Sequence, residues 1–146
     1  MLNEKDLRIG NWVDGIREGE FSMIENGADI ELALHEGLPI RITDHILEGI
    51  GFEMKDYRII NAEESHRLLP AYYDGFEDQA ICQNYQMNAP HHGIIELRKY
   101  DCDVIEIYIK NQFASFPISR VNAFHLLQNV FWNVFFLEIG LKEIEE

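Results

Sequence analysis

The chain has 146 residues, of which 47% are hydrophobic, 26% charged and 12% aromatic. This is ordinary globular usage, enough to bury a core without staples, and it excludes a disordered chain. Twenty-six acidic residues against twelve Lys and Arg give a formal net charge of −14, which disfavours direct nucleic-acid binding, and two cysteines exclude a disulfide framework.

Met1–Asp6 has no basic region followed by an apolar run, so no secretory signal is expected. Thirteen of the 19 residues Val121–Ile139 are apolar. Asn122, His125, Gln128, Asn129, Asn133 and Glu138 interrupt them, and each is costly in hydrocarbon, so the stretch reads as a buried helix and not a membrane span. The default location is the cytoplasm, with Cys82 and Cys102 reduced.

Leu7–Val13 alternates weakly and ends at Asp14-Gly15, a turn dipeptide, and predicts a short strand. Glu20–Glu25 and Ala28–Leu34 flank Asn26-Gly27, a hairpin signal because both residues tolerate positive φ. Ile30, Leu32 and Leu34 would share one face of the second strand. Residues 7–35 thus read as a three-stranded meander or part of a small barrel. Leu38–Ile42 leads into Thr43, an N-cap followed by Asp44, for a short helix with Ile46, Leu47 and Ile50 on its apolar face and Gly51 at its end.

Phe52–Ile60 suits a strand. Asn61 and Glu64 form a capping pair for a helix through Leu69, stopped by Pro70. Residues 70–92 carry no clear pattern. Ile94–Tyr100 and Val104–Lys110 are strands of a hairpin, with Ile105, Ile107 and Ile109 on one face and Glu106, Tyr108 and Lys110 on the wet one. Ser115–Ile118 can form a third. Ser119 would cap a long helix from Arg120 to about Ile139, stopped by Gly140. The expected fold is α+β, one domain over residues 1–146. Residues 1–37 make an antiparallel meander or barrel-like part. Residues 38–146 make an α+β body with a second antiparallel hairpin or sheet and a long C-terminal helix packed on sheet. Strands come in blocks and do not alternate strictly with helices, which disfavours a parallel doubly wound sheet.

Three segments in order resemble a group of small uncharacterised proteins from bacterial genomes and their phages: Leu7-Arg8-Ile9-Gly10-Asn11-Trp12-Val13, Leu38-Pro39-Ile40 through Gly51-Phe52-Glu53, and His125-Leu126-Leu127-Gln128-Asn129. Those proteins open on a leucine-arginine-isoleucine-glycine-asparagine stretch. They carry a proline-led short helix ending in glycine-phenylalanine-glutamate, and close on a helix with histidine and then leucine-glutamine-asparagine. After Asn129 the group often continues with a tyrosine and a threonine-glycine-glutamate turn, whereas here Val130–Phe136 runs on. The resemblance implies a cytoplasmic accessory protein, borne on a mobile element, and brings no activity with it.

Asn122, His125, Asn129 and Asn133 fall within about 80° of one another on a helix, with Gln128 beside them. A solvated face normally carries Lys and Glu, so this uncharged seam reads either as the lining of a ligand pocket or subunit contact, or as amides bonded to nearby backbone. Phe124, Leu127, Phe131, Val134 and Phe135 share a broad apolar face. Apolar residues surround most of the helix, which calls for cover on two sides, the second from residues 62–80 or from another subunit with Trp132 in the contact. A homodimer is favoured over a monomer.

Cys82, His91, His92 and Cys102 lack the short spacing of zinc-ligand pairs, so no metal and no cofactor is expected. Glu63, Glu64 and His66, or Glu106 with Asp103, could do acid–base work, but such neighbours arise by chance among 26 acids. No phosphate loop, serine elbow or metalloprotease motif is present. The leading reading is therefore a non-enzymatic interaction or accessory protein. The alternatives are an acidic inhibitor that mimics DNA on a nucleic-acid-handling protein and, further back, a small-molecule or metal-dependent enzyme.

Overall fold

A computed structural model of the chain describes residues 2–61, 79–89, 91–101 and 103–141. The fold is α+β and the chain divides into two compact units. Met1–Ile50 with Asn122–Glu146 forms the first, and Gly51–Val121 the second. Among the described residues no helix is long and apolar enough to cross a membrane.

In the first unit, strands β1 (Trp12–Arg17) and β2 (Glu20–Met23) form an antiparallel hairpin. The strand begins at Trp12 and not at Leu7, because the backbone just before it is turned. The Asn11 N–H donates to the Arg8 carbonyl, and the Asn11 side chain accepts from the Arg8 N–H at 2.8 Å. Asp14-Gly15 is no turn but an irregularity inside β1, where Asp14 exchanges both backbone hydrogen bonds with Leu38. Gly15 has φ +83°, and a Cβ there would stand 2.8 Å from the Glu36 carbonyl oxygen, so only glycine fits.

The expected third strand of the meander is helix α1 (Gly27–Glu36). Asn26 closes no hairpin. It is the N-cap, its side chain accepting from the Asp29 N–H at 3.0 Å while Asp29 accepts from the Glu25 N–H at 2.9 Å. The cap satisfies an orphan donor of the first turn, and Asp29 reaches back to the chain just before the cap. Ile30, Ala33 and Leu34, at helical spacing, pack into a core with Leu2, Leu7, Val13, Ile16 and Ile24. Packing at period 3.6 thus overrides the alternation of Ile30, Leu32 and Leu34.

Helix α2 (Asp44–Gly49) forms as its sequence predicts. Thr43 Oγ1 accepts from the Ile46 N–H, Ile46 and Leu47 are buried, and Gly51 at φ +109° ends it.

The second unit is an antiparallel sheet of five strands in sequence order: β3 (Glu53–Asn61), β4 (Gln79–Ala89), β5 (Gly93–Tyr100), β6 (Ile105–Lys110) and β7 (Ser115–Val121). β3, β5 and β6 match the expected strands, and β4 arises in the stretch without pattern. The expected helix after Asn61 lies outside the described residues.

The C-terminal helix is shorter than expected. Ser119 and Arg120 belong to β7, paired with Ile107 and Glu106, so Ser119 caps nothing. Helix α3 (Phe124–Val130) starts after Ala123 with no side-chain cap, and a π turn (Phe131–Phe135) follows it. The helix stops at Phe136, which is left-handed at φ 55°, four residues before Gly140. Phe124, Leu127, Phe131 and Phe135 are buried, and Phe131 meets Phe135 edge-to-face at 5.4 Å. Val134 is exposed, not part of that face.

Candidate functional site

The polar seam of the last helix meets the first segment of the resemblance. Gln128 is fully buried. Its Oε1 accepts from the Trp12 N–H at 2.8 Å, and its Nε2 donates to the carbonyls of Gly10 at 3.0 Å and Ile139 at 2.7 Å. Asn129 Oδ1 accepts from Arg8 Nε at 3.0 Å and Asn11 Nδ2 at 2.9 Å, while its Nδ2 donates to the Asp6 carbonyl. Asp6, Gly10 and Trp12 lie before or at the start of the β1 ladder, and two amides supply partners to their backbone groups. Leu7–Val13 and His125–Asn129, 120 residues apart in the chain, are therefore two sides of one bonded joint.

The other seam residues go elsewhere. Asn122 and Asn133 are exposed. His125 is buried, and its Nδ1 has no hydrogen-bond partner. Burial pushes its imidazole below the ordinary histidine value, with the Asp6 charge pulling the other way.

Beyond the joint the helix end is apolar and open. Trp132 is 46% exposed and Phe136 76%, with Val134 between them. The Arg8 guanidinium lies 5.8 Å from the Trp132 ring centre and pairs with Glu138 at 3.2 Å. The adjoining Ile9 is also exposed. Spacing and residue type alone do not mark Arg8 and Asn11 as partners of the helix. The signal that finds them is the motif they share with Gly10, opposite a helix face whose polar residues are amides.

A second constellation lies on one face of the five-stranded sheet. Register places Asp56, Asn84, Arg98, Glu106 and Arg120 in one row across all five strands. Arg120 pairs with Glu106 at 2.8 Å, Tyr100 donates to Glu106 at 2.6 Å, and Arg98 pairs with buried Glu96 at 2.9 Å while lying 4.0 Å from the Tyr108 ring centre. Burial works against the Glu106 charge, but the hydrogen bonds from Tyr100 and Arg120 hold its carboxyl below the ordinary value. Burial pushes the Tyr100 hydroxyl up, and Glu106 adds to it. Burial likewise raises the Cys82 thiol, against Arg58. The Tyr100 and Arg120 hydrogen bonds thus favour the charged form of Glu106. Asp103, its suggested partner, sits in the β5–β6 turn at φ 69°. Glu63, Glu64, His66 and Cys102 lie outside the described residues.

Cys82 pairs with Tyr100, whereas His91 and His92 sit in the β4–β5 turn, roughly 23 Å further along at 3.3 Å per residue. Among the described residues no group of three His, Cys, Asp or Glu is placed to hold a metal ion. The first unit also carries an open cavity of about 570 Å³, lined by Asp14, Phe21, Ile40, Arg41, His45 and Leu141 among others. Comparison with models of known protein families, with curated proteins and with solved structures finds no match to the chain.

Proposed function

We propose that this is a non-enzymatic accessory protein of the cytoplasm, of the phage- or mobile-element-borne kind its three segments resemble, and that it works by binding another protein. One observation carries the reading. The helix end presents Trp132, Val134 and Phe136 to solvent beside Arg8, while Gln128 and Asn129 are spent on internal hydrogen bonds. Exposed aromatics next to an arginine are the composition of interface hot spots. A photo-crosslinking residue at Trp132, expressed in the native host, tests it. A discrete heavier product that disappears with Phe136→Ala is expected. An uncrosslinked monomer as the sole product sinks the reading.

The distribution of charge favours a second reading, an acidic inhibitor acting on a nucleic-acid-handling protein. The first unit holds 15 acidic residues against five basic ones, a net −10, and the second holds 11 against seven, a net −4. Glu18, Glu20, Glu25, Glu31, Glu36, Asp44 and Glu48 of the first unit are all exposed. Duplex DNA should then displace the captured partner, whereas under the first reading it should not.

A further inference from the structure

We propose that the first unit binds an extended, proline-containing, basic segment of a partner protein in a groove over the outer face of the β1–β2 hairpin. Two cavities of about 570 and 500 Å³ adjoin in this unit. Both are lined by Glu20 and Phe21, so they are the two ends of one groove. Each end has the size of a ligand pocket, and the two in line suit a chain segment better than one compact molecule. None of Trp132, Val134 and Phe136 lines the groove, so the proposal shares with the helix-end surface only that the partner is a protein.

The hairpin supplies the floor. Trp12 pairs with Met23, and Phe21 lies two residues before Met23 on the same face of β2. The opposite face carries Val13 and Ser22, which pair and are both buried. Trp12 and Phe21 are half-buried and Met23 is exposed. Beyond Phe21 the floor continues through Pro39, Ile40, Ile46 and Leu141. Gly140 keeps the indole open, because a Cβ there would stand 3.0 Å from Trp12 Nε1, although its φ is not positive. Among the described residues the indole N–H has no hydrogen-bond partner, and it lines the groove as a donor for a peptide carbonyl. A segment laid over a sheet face gains no ladder. Polyproline II backbone needs no internal hydrogen bonds, and aromatic-lined grooves recognise it.

Charge says which segment fits. Asp14, Glu20, Glu25 and Glu138 line the groove against Arg17 and Arg41. Neither cation is free, since Arg17 stands 3.8 Å from Asp29 and Arg41 has an interaction of its own, as has His45. Glu138 is held by Arg8. Glu20 and Glu25 are exposed and have no ion pair among the described residues. Glu20 lines both cavities and Glu25 the second, so open carboxylates stand at the middle and at one end of the groove. They belong to a unit of net −10, which draws in a positive segment and turns away an acidic one. Arginines or lysines of the segment reach the rim with their charged heads, while its prolines and apolar side chains take the floor.

Fluorescence anisotropy of a labelled peptide repeating arginine, proline and leucine, titrated with the full chain, tests the proposal. Saturable binding of one peptide per chain is expected. Replacing its prolines and leucines by glycine and serine should weaken binding at least about tenfold, which separates the groove from diffuse attraction to an acidic protein. Glu20→Lys and Gly140→Leu should each weaken it at least about tenfold. Glu31→Lys, the same charge change at an exposed position of α1 that lines neither cavity, should stay within about twofold. In a Trp132→Phe background the peptide should shift the emission of Trp12, the one indole left; this arm stands if Gly140→Leu fails to fold. Phe136→Ala should leave peptide binding intact, which tells failure of the groove from failure of the helix-end surface. No saturable binding, equal binding of the glycine-serine peptide, an equal effect of Glu20→Lys and Glu31→Lys, unmoved Trp12 emission, or loss of binding in Phe136→Ala overturns it.

Discussion

The Gln128 side chain accepts the Trp12 backbone N–H at 2.8 Å and thereby joins the last helix to the first strand. Its amide also donates to Gly10 and Ile139, so one buried side chain ties the last helix both to the start of the first strand and to the chain eleven residues further on. Buried backbone groups left without partners are costly. Gln128→Ala should therefore cost roughly 2–4 kcal/mol of folding stability, whereas Asn133→Ala, on the exposed side of the same seam, should stay within about 0.5 kcal/mol. Urea midpoints of the two variants check this, and equal midpoints would mean that the amide joint does not hold the unit.

Asn26 and Gly27 offer a sharper contrast. As a helix cap, Asn26 should cost about 1 kcal/mol when changed to alanine. Gly27 sits at the first helical position with nothing within 4 Å of where a Cβ would stand and without a positive φ. Gly27→Ala should thus be neutral or stabilising by about 0.5 kcal/mol. In a hairpin turn the same change would be destabilising, so thermal melting of this variant separates helix from strand.

Phe136 ends the helix in a left-handed conformation that strains any residue with a Cβ, and its ring is mostly in water. Phe136→Gly should stabilise the fold by roughly 0.5–1 kcal/mol, the relief of strain less the greater freedom of glycine in the unfolded chain. The same variant should weaken partner crosslinking at Trp132. A gain in stability with a loss of binding distinguishes a docking residue from a core one.

His125 makes stability depend on pH. Its folded value is depressed below the ordinary 6.5, so the unfolded chain binds the proton more readily. The stability is fully present above pH 6.5 and falls as the pH drops from there through the depressed folded value. His125→Gln should flatten this fall between pH 7 and 5 relative to the wild type. Urea midpoints across that range, with the His125 ring followed by NMR, measure it. Parallel slopes in the two proteins would assign the dependence to other histidines.

Elements whose signals are local are legible in the amino-acid order alone. Thr43, Ile46, Leu47 and Gly51 specify α2 because cap, apolar pair and stop lie within nine residues. The alternation of Ile94–Lys110 specifies the β5–β6 hairpin, since a wet face and a buried face must alternate along a strand. Long-range packing settled the others. Asn26-Gly27 carries the chemistry of both a turn and a cap, and burial of Ile30, Ala33 and Leu34 against Val13 and Ile24 chose the helix. The last helix ends at left-handed Phe136 and not at Gly140, and the Ile139 carbonyl beyond that end accepts from Gln128. The amide seam was visible as a pattern, but its role was not, because a side-chain amide has the same chemistry toward a ligand, a subunit or a strand of its own chain. Only the fold places Arg8–Trp12 within 3 Å of it, and the distance decides which of these the amides hold.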